Sequence, residues 1–202
     1  MSAVRLPGWF GKLPSLGDFA SRRLPASFVQ PWDRWLQRGM VAAIAALGEA
    51  RWVETYLVAP VLRFWLAPGV LGDSGWAGLM MPSTDRIGRH FPLTIATPDS
   101  SLAATLAARE WFRALDHAAR KVLDVGFSVD DFERALAALP YQPPAAADDA
   151  DTALASLLQG ATGDDRAISL WWCGDAVPGA TFRRFDGMPP DAAFAALMEP
   201  TQ

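Results

Sequence analysis

The sequence predicts an α/β fold in which helices cover both faces of a mixed, mainly antiparallel sheet. Three observations carry this. Three apolar runs, Val61–Ala67, Trp76–Met81 and Leu93–Thr97, follow one another across links too short for helical crossovers, so they should pair antiparallel. Long stretches on either side of them repeat apolar residues at the helical period. The 202 residues are 51% hydrophobic and 20% charged, a balance that buries a substantial core and argues against disorder.

Each element follows from local chemistry. Trp9 to Phe19 starts as a short strand and becomes a loop, with Gly11 and Gly17 free to take backbone angles closed to other residues and Pro14 keeping Leu13 extended. Ser27–Leu47 is a helix whose Phe28, Trp32, Trp35, Leu36, Ile44 and Leu47 make one apolar face. Pro31 should then sit in its first turn or at a local start, and Gly48 stops it. A shorter helix covers Ala50–Val58. Ser100 caps a long helix to about Val125, with Leu102, Leu106, Trp111, Leu115, Ala118 and Val122 on one face. Asp130–Leu139 is a further helix.

Residues 1–139 thus make a main α/β domain. Residues 140–151 read as a Pro/Ala/Asp-rich linker or loop, the segment expected to be most mobile. After a short helix from Asp151 to Leu158, residues 152–202 supply a strand at Ile168–Cys173, a partner at Thr181–Phe185 and a closing helix at Pro190–Met198. This segment is expected to pack on the same domain.

Charge and special residues exclude several function classes. A net charge of −4 opposes nucleic-acid binding, which needs a basic face. Cys173 is the single cysteine, so neither a disulfide framework nor a cysteine-rich zinc site is available. The N-terminus lacks the apolar region of a signal peptide, and no apolar stretch approaches the roughly 20 residues of a membrane span. These features predict a cytoplasmic chain without direct membrane insertion. The nine Trp are compatible with both core filling and a protein-binding surface.

Catalytic sets are hard to assemble. Ser83, Asp85 and His90 lie in one eight-residue stretch without a nucleophile elbow, which is poor geometry for a triad. Gly11-Lys12 lacks phosphate-loop spacing, and Lys12 and Asp18 read as solvated loop charges or a local pair. Asp148, Asp149 and Asp151 read as solvated linker charges, and Asp164-Asp165-Arg166 as a turn. No catalytic residue, metal site or cofactor is expected. The polar turn from Ser83 to His90, held between two strands, is the best place for recognition. Its Arg86 and Arg89 could hold a phosphate or a partner carboxylate. Alternatively Asp85, or Asp18 from the N-terminal loop, pairs with one of them and stiffens the turn. Arg22-Arg23 carries the same ambiguity.

These stretches resemble the TagF (ImpM) family of type VI secretion system-associated proteins. The likeness rests on Gly11-Lys-Leu-Pro-Ser-Leu-Gly-Asp-Phe19, on Pro31-Trp-Asp-Arg-Trp-Leu36 and on Pro60-Val-Leu-Arg-Phe64. Its strongest part is Trp76-Ala-Gly-Leu-Met-Met-Pro-Ser-Thr-Asp-Arg-Ile-Gly-Arg-His-Phe-Pro-Leu93, and Ser169-Leu-Trp-Trp172 extends it. The resemblance implies a three-layer α/β/α sandwich. It also implies a cytoplasmic accessory factor without catalytic activity, a post-translational repressor that binds the forkhead-associated-domain scaffold protein of the secretion system. Some relatives are fused to a phosphatase domain, for which 202 residues leave no room. The motif positions Asp18, Arg22, Ser83, Asp85, Arg86 and Arg89 are then candidates for partner binding. His90 stands where the family often has an aromatic residue, which weakens a proton-transfer role. The alternative is a small-molecule or phosphate-binding domain, a vestigial enzyme using Arg86 and Arg89. A third reading is a purely structural subunit.

Overall fold

The fold is described from a computed structural model, covering residues 5–99, 101–142, 147–160, 167–176 and 180–199. The chain runs β1 (Gly8–Gly11), β2 (Ala20–Arg22), α1 (Ala26–Leu47), α2 (Glu49–Leu57), β3 (Leu62–Leu66), β4 (Trp76–Met81) and β5 (Leu93–Pro98). It continues through α3 (Leu102–Ala107), α4 (Arg109–Arg120), α5 (Val129–Ala137), α6 (Asp149–Gln159), β6 (Ile168–Cys173), β7 (Phe182–Asp186) and α7 (Phe194–Met198). The strands form one seven-stranded sheet in the order β2-β1-β5-β4-β3-β6-β7, and every pairing between them is antiparallel.

Strand alternation sorts the core into three layers. One face of the sheet, with Phe64, Trp76, Met80 and Trp171, packs under α1, α2 and α7. Trp32 and Trp35 of α1 stack into it, at 5.9 Å and 5.3 Å from the Trp171 ring. The Trp32 indole donates to Thr94 Oγ1 at 2.8 Å and the Trp35 indole to the Pro189 carbonyl at 2.9 Å. The opposite face carries Trp9, Leu79 and Ile95 beneath α4 and α5, and Trp65, Leu170 and Trp172 beneath α3 and α6. Eight of the nine Trp are buried, leaving Trp111 half-buried, so this residue type is spent on the core. Each fully buried side chain of this size stabilises the fold by roughly 2–3 kcal/mol.

The C-terminal segment belongs to this sheet. β6 pairs along the whole of β3, from Leu62↔Cys173 to Leu66↔Ser169, and β7 forms the outer edge.

Several local expectations are corrected. The long helix is two helices, separated at the buried Ala108, which adopts ψ 37°. The break lets α3 aim Leu102 and Leu106, and α4 aim Phe112 and Leu115, at different parts of the sheet. Ser100 lies outside the described residues; Ser101 caps α3 instead, accepting from the Ala104 N–H. Pro31 stands in the second turn of α1, since the helix starts at Ala26. The hydrogen bond it removes is the one to Ser27, which is exposed, so water can serve that carbonyl.

Part of the expected linker is anchored: Tyr141 is buried, pairs with Arg5 and donates its hydroxyl to Asp99. Residues 143–146 and 164–166 lie outside the described residues. Asp151, read as a solvated charge, is buried in α6 and bound by both terminal nitrogens of Arg109. Asp148 caps the same helix through the Asp151 N–H.

Candidate functional site

The Gly11–Phe19 loop and the Ser83–His90 turn meet at one end of the sheet. Their junction starts at Gly11, the last residue of β1. Its φ of 139° is open to glycine alone, and an added Cβ would stand 2.2 Å from the Pro92 carbonyl oxygen. This close approach sends Lys12 inward rather than to solvent, correcting its reading as a solvated charge.

Asp85 is the hub. It is 2% exposed, and Lys12, 5% exposed, places its ammonium 3.0 Å from Oδ2. Arg89 donates to Oδ2 through Nε at 2.6 Å, while the N–H groups of Ile87 and Arg89 donate to Oδ1 at 3.1 Å and 2.9 Å. Burial by itself pushes the carboxyl up, yet hydrogen bonds from the Arg89 backbone, Lys12, the Arg89 side chain and the Ile87 backbone hold it well below the usual carboxylate range. Four donors, two of them cationic, converge on one carboxylate and close the turn upon itself.

Ser83 and Tyr56 brace it from beneath. The Ser83 hydroxyl donates to the Lys12 carbonyl at 2.7 Å. Tyr56 Oη accepts from the Ser83 N–H at 2.9 Å and donates to the Ser83 carbonyl at 2.8 Å. Burial pushes that phenol up, and the bond to Ser83 offsets part of the effect. Ser83 and Asp85 are therefore adjacent without sharing a hydrogen bond, and the Ser83 proton already has an acceptor. His90 packs its ring 5.2 Å from Tyr56 and pairs with Thr84 across the turn.

Backbone bonds join the two loops. The Arg86 N–H donates to the Leu16 carbonyl at 2.8 Å, and Arg89 Nη2 to the Gly17 carbonyl at 2.9 Å. The Arg86 guanidinium lies over Gly17, where a Cβ would come within 3.4 Å, and it forms no ion pair among the described residues. Of the two proposed partners for these arginines, Asp85 takes Arg89. Asp18 is exposed and accepts from the Phe19 N–H at 2.8 Å.

The candidates thus divide. Ser83 and Asp85 face inward. Asp18, Arg86 and Arg89 stand on the outer surface of the junction. Arg22 lies apart, at the far end of β2 opposite Trp9. There, Glu133 is gripped by Arg23 and the Trp9 indole; burial pushes its carboxyl up, and these bonds, with the charges of Arg23 and Arg22, bring it below its ordinary value.

Sequence reasoning missed two outward residues. Ile87 is 72% exposed at the tip of the turn, and Phe19 is 45% exposed, with its ring edge-on to Phe91 at 4.7 Å and beneath the Lys12 ammonium at 4.9 Å. An apolar residue within an otherwise polar turn was the available signal for Ile87. Nothing local marked Tyr56. Also missed was a second ionic cluster, in which Asp175 binds both Arg63, buried in β3, and Arg113 of α4. Among the described residues no group of three or more His, Cys, Asp or Glu is placed to hold a metal ion, and no helix is long and apolar enough to cross a membrane.

Fold and site together define a class: an antiparallel sheet between two helical layers, whose first strand and central hairpin deliver Gly-Lys and Ser-x-Asp-Arg segments to one buried ion pair. Comparison with known proteins agrees with it. The profile of the TagF N-terminal domain, described as type VI secretion system-associated, matches residues 8–139. The crystal structure of PA0076 from Pseudomonas aeruginosa PAO1 superposes with a TM-score of 0.78 at 36% identity, covering 96% of this chain and 94% of that one. No curated protein matched. The chain belongs to the TagF N-terminal domain family, and the motif residues Gly11, Lys12, Ser83, Asp85 and Arg89 are those that build the junction.

Proposed function

We propose that this accessory protein of a type VI secretion system is a cytoplasmic, post-translational repressor that binds the forkhead-associated-domain scaffold protein of the apparatus. It acts by binding and not by turnover. The observation that carries this reading is the Asp85 hub. It fixes two loops against each other while leaving the Arg86 guanidinium without an ionic partner among the described residues and Ile87 almost wholly in water. An apolar tip beside a free guanidinium, on a loop that need not be ordered at binding, has the composition of an interface anchor.

The small-molecule alternative draws no support from the geometry. The Arg89 guanidinium is already held by Asp85 Oδ2 and the Gly17 carbonyl, so it is not free to close with Arg86 on a phosphate. Affinity co-purification from the native cell extract tests the reading. The scaffold should be recovered with the wild-type chain and lost with Arg86→Ala/Arg89→Ala. Equal recovery would move the interface elsewhere. Absence of the scaffold, with a phosphorylated ligand raising the melting temperature, would favour the alternative.

A further inference from the structure

The junction has an apolar neighbour that the family motifs do not touch. A pocket of about 380 Å³ lies between the Pro14-Ser15 turn and the link from α4 to α5, with Leu123, Val125 and Phe127 on its far wall and Asp124 at its side. The volume is at the lower end for a binding cavity, large enough for one bulky side chain. Leu123 is 51% exposed and Val125 wholly so, an unusual outlay of apolar surface on one short link. The same four residues that border this pocket at Pro14 and Ser15 support the Arg86 backbone at Leu16 and the guanidinium at Gly17. Pro14 at the pocket and Gly17 beneath the Arg86 guanidinium are three residues apart in the chain, a Cα span of at most about 11 Å.

We infer that this surface takes an extended acidic segment of a partner protein, with one bulky apolar side chain in the pocket and a carboxylate two to four residues away on Arg86. Charge selects this occupant. Arg86 lacks an ionic partner among the described residues, and Asp18, the nearest exposed carboxylate in the loop, is turned to the Phe19 N–H. Asp124 beside the pocket repels an anion there, so it fixes which end of the segment lies where. The recognition is that of a linear peptide anchored at two points, with the pocket supplying burial and the guanidinium supplying register. The inference rests on the proposed docking role of the junction and names the chemistry of what docks.

Selection of random dodecapeptides displayed on phage, against the whole chain, tests it without a known partner. Enriched peptides should share an aromatic or large aliphatic residue with Asp or Glu two to four positions away. Synthetic versions should bind about tenfold more weakly to Val125→Lys and, separately, to Arg86→Ala. Both positions are exposed, so neither change disturbs the core. Consensus peptides without an acidic residue, or binding indifferent to Val125→Lys, would overturn the inference, as would a concentration-dependent dimer that Val125→Lys dissociates. Scaffold recovery separates the two ideas. Recovery lost with Arg86→Ala/Arg89→Ala yet intact with Val125→Lys sinks the pocket and spares the docking role, whereas recovery indifferent to all three changes sinks both.

Discussion

Lys12, just past the end of β1, and Asp85, in the turn between β4 and β5, meet at one end of the sheet as a buried ion pair 3.0 Å apart. A buried pair contributes little net stability when intact, but leaves an uncompensated charge when one partner is removed. Asp85→Asn and Lys12→Met should each lower the melting temperature by roughly 10 °C. The double substitution should recover part of that loss, because neither charge is then stranded. Thermal melts of the three variants measure it.

The same pair gives the stability a pH signature. The Asp85 carboxyl is held below its unfolded-state value, so its contribution is complete above about pH 4 and is lost as the pH falls toward the folded-state value. The gap in melting temperature between wild type and Asp85→Asn should therefore be constant from pH 8 to pH 5 and narrow below pH 4. Melting curves at intervals of half a pH unit would show a gap that widens on acidification if the sign were wrong.

Arg86 and Arg89 should separate in their effects. Arg86→Ala removes an exposed guanidinium without an ion pair among the described residues and should leave the melting temperature within about 2 °C. Arg89→Ala deprives Asp85 of its 2.6 Å partner and frees the Gly17 carbonyl, so it should loosen the turn as well. Hydrogen exchange at the Ile87 and Arg89 amides should rise in the second variant and not in the first.

Gly39 tests the packing of the closing helix. A Cβ there would stand 2.4 Å from the Phe194 ring, which is fully buried and held edge-on to Trp35 at 5.3 Å. Gly39→Ala should cost about 1–3 kcal/mol through overpacking, despite alanine's better helix propensity. Adding Phe194→Leu should restore part of it. Urea denaturation of the single and double variants reads the coupling.

How far the sequence foretold this arrangement depends on the range of the interaction. β3, β4, β5 and β6 were legible because each is a run of five or six residues buried on both faces. Periodicity gave the faces of α1 and α4, except that Ile44, assigned to the apolar face of α1, is exposed. β2 has three residues and no pattern to betray it. The break at Ala108 stands among good helix formers, so tertiary packing and not local sequence decides it. Lys12 resembled a surface lysine because its partner lies far along the chain, and Asp151 resembled a linker charge because Arg109 does. Asp85 was legible as a member of the right turn, and its inward orientation was not.

The most direct test of the account is the dissociation constant of the purified chain for the forkhead-associated-domain scaffold, measured by titration calorimetry for wild type and Arg86→Ala. Arg86→Ala should weaken binding by about tenfold or more with an unchanged melting temperature. Equal affinity for the two proteins would contradict it.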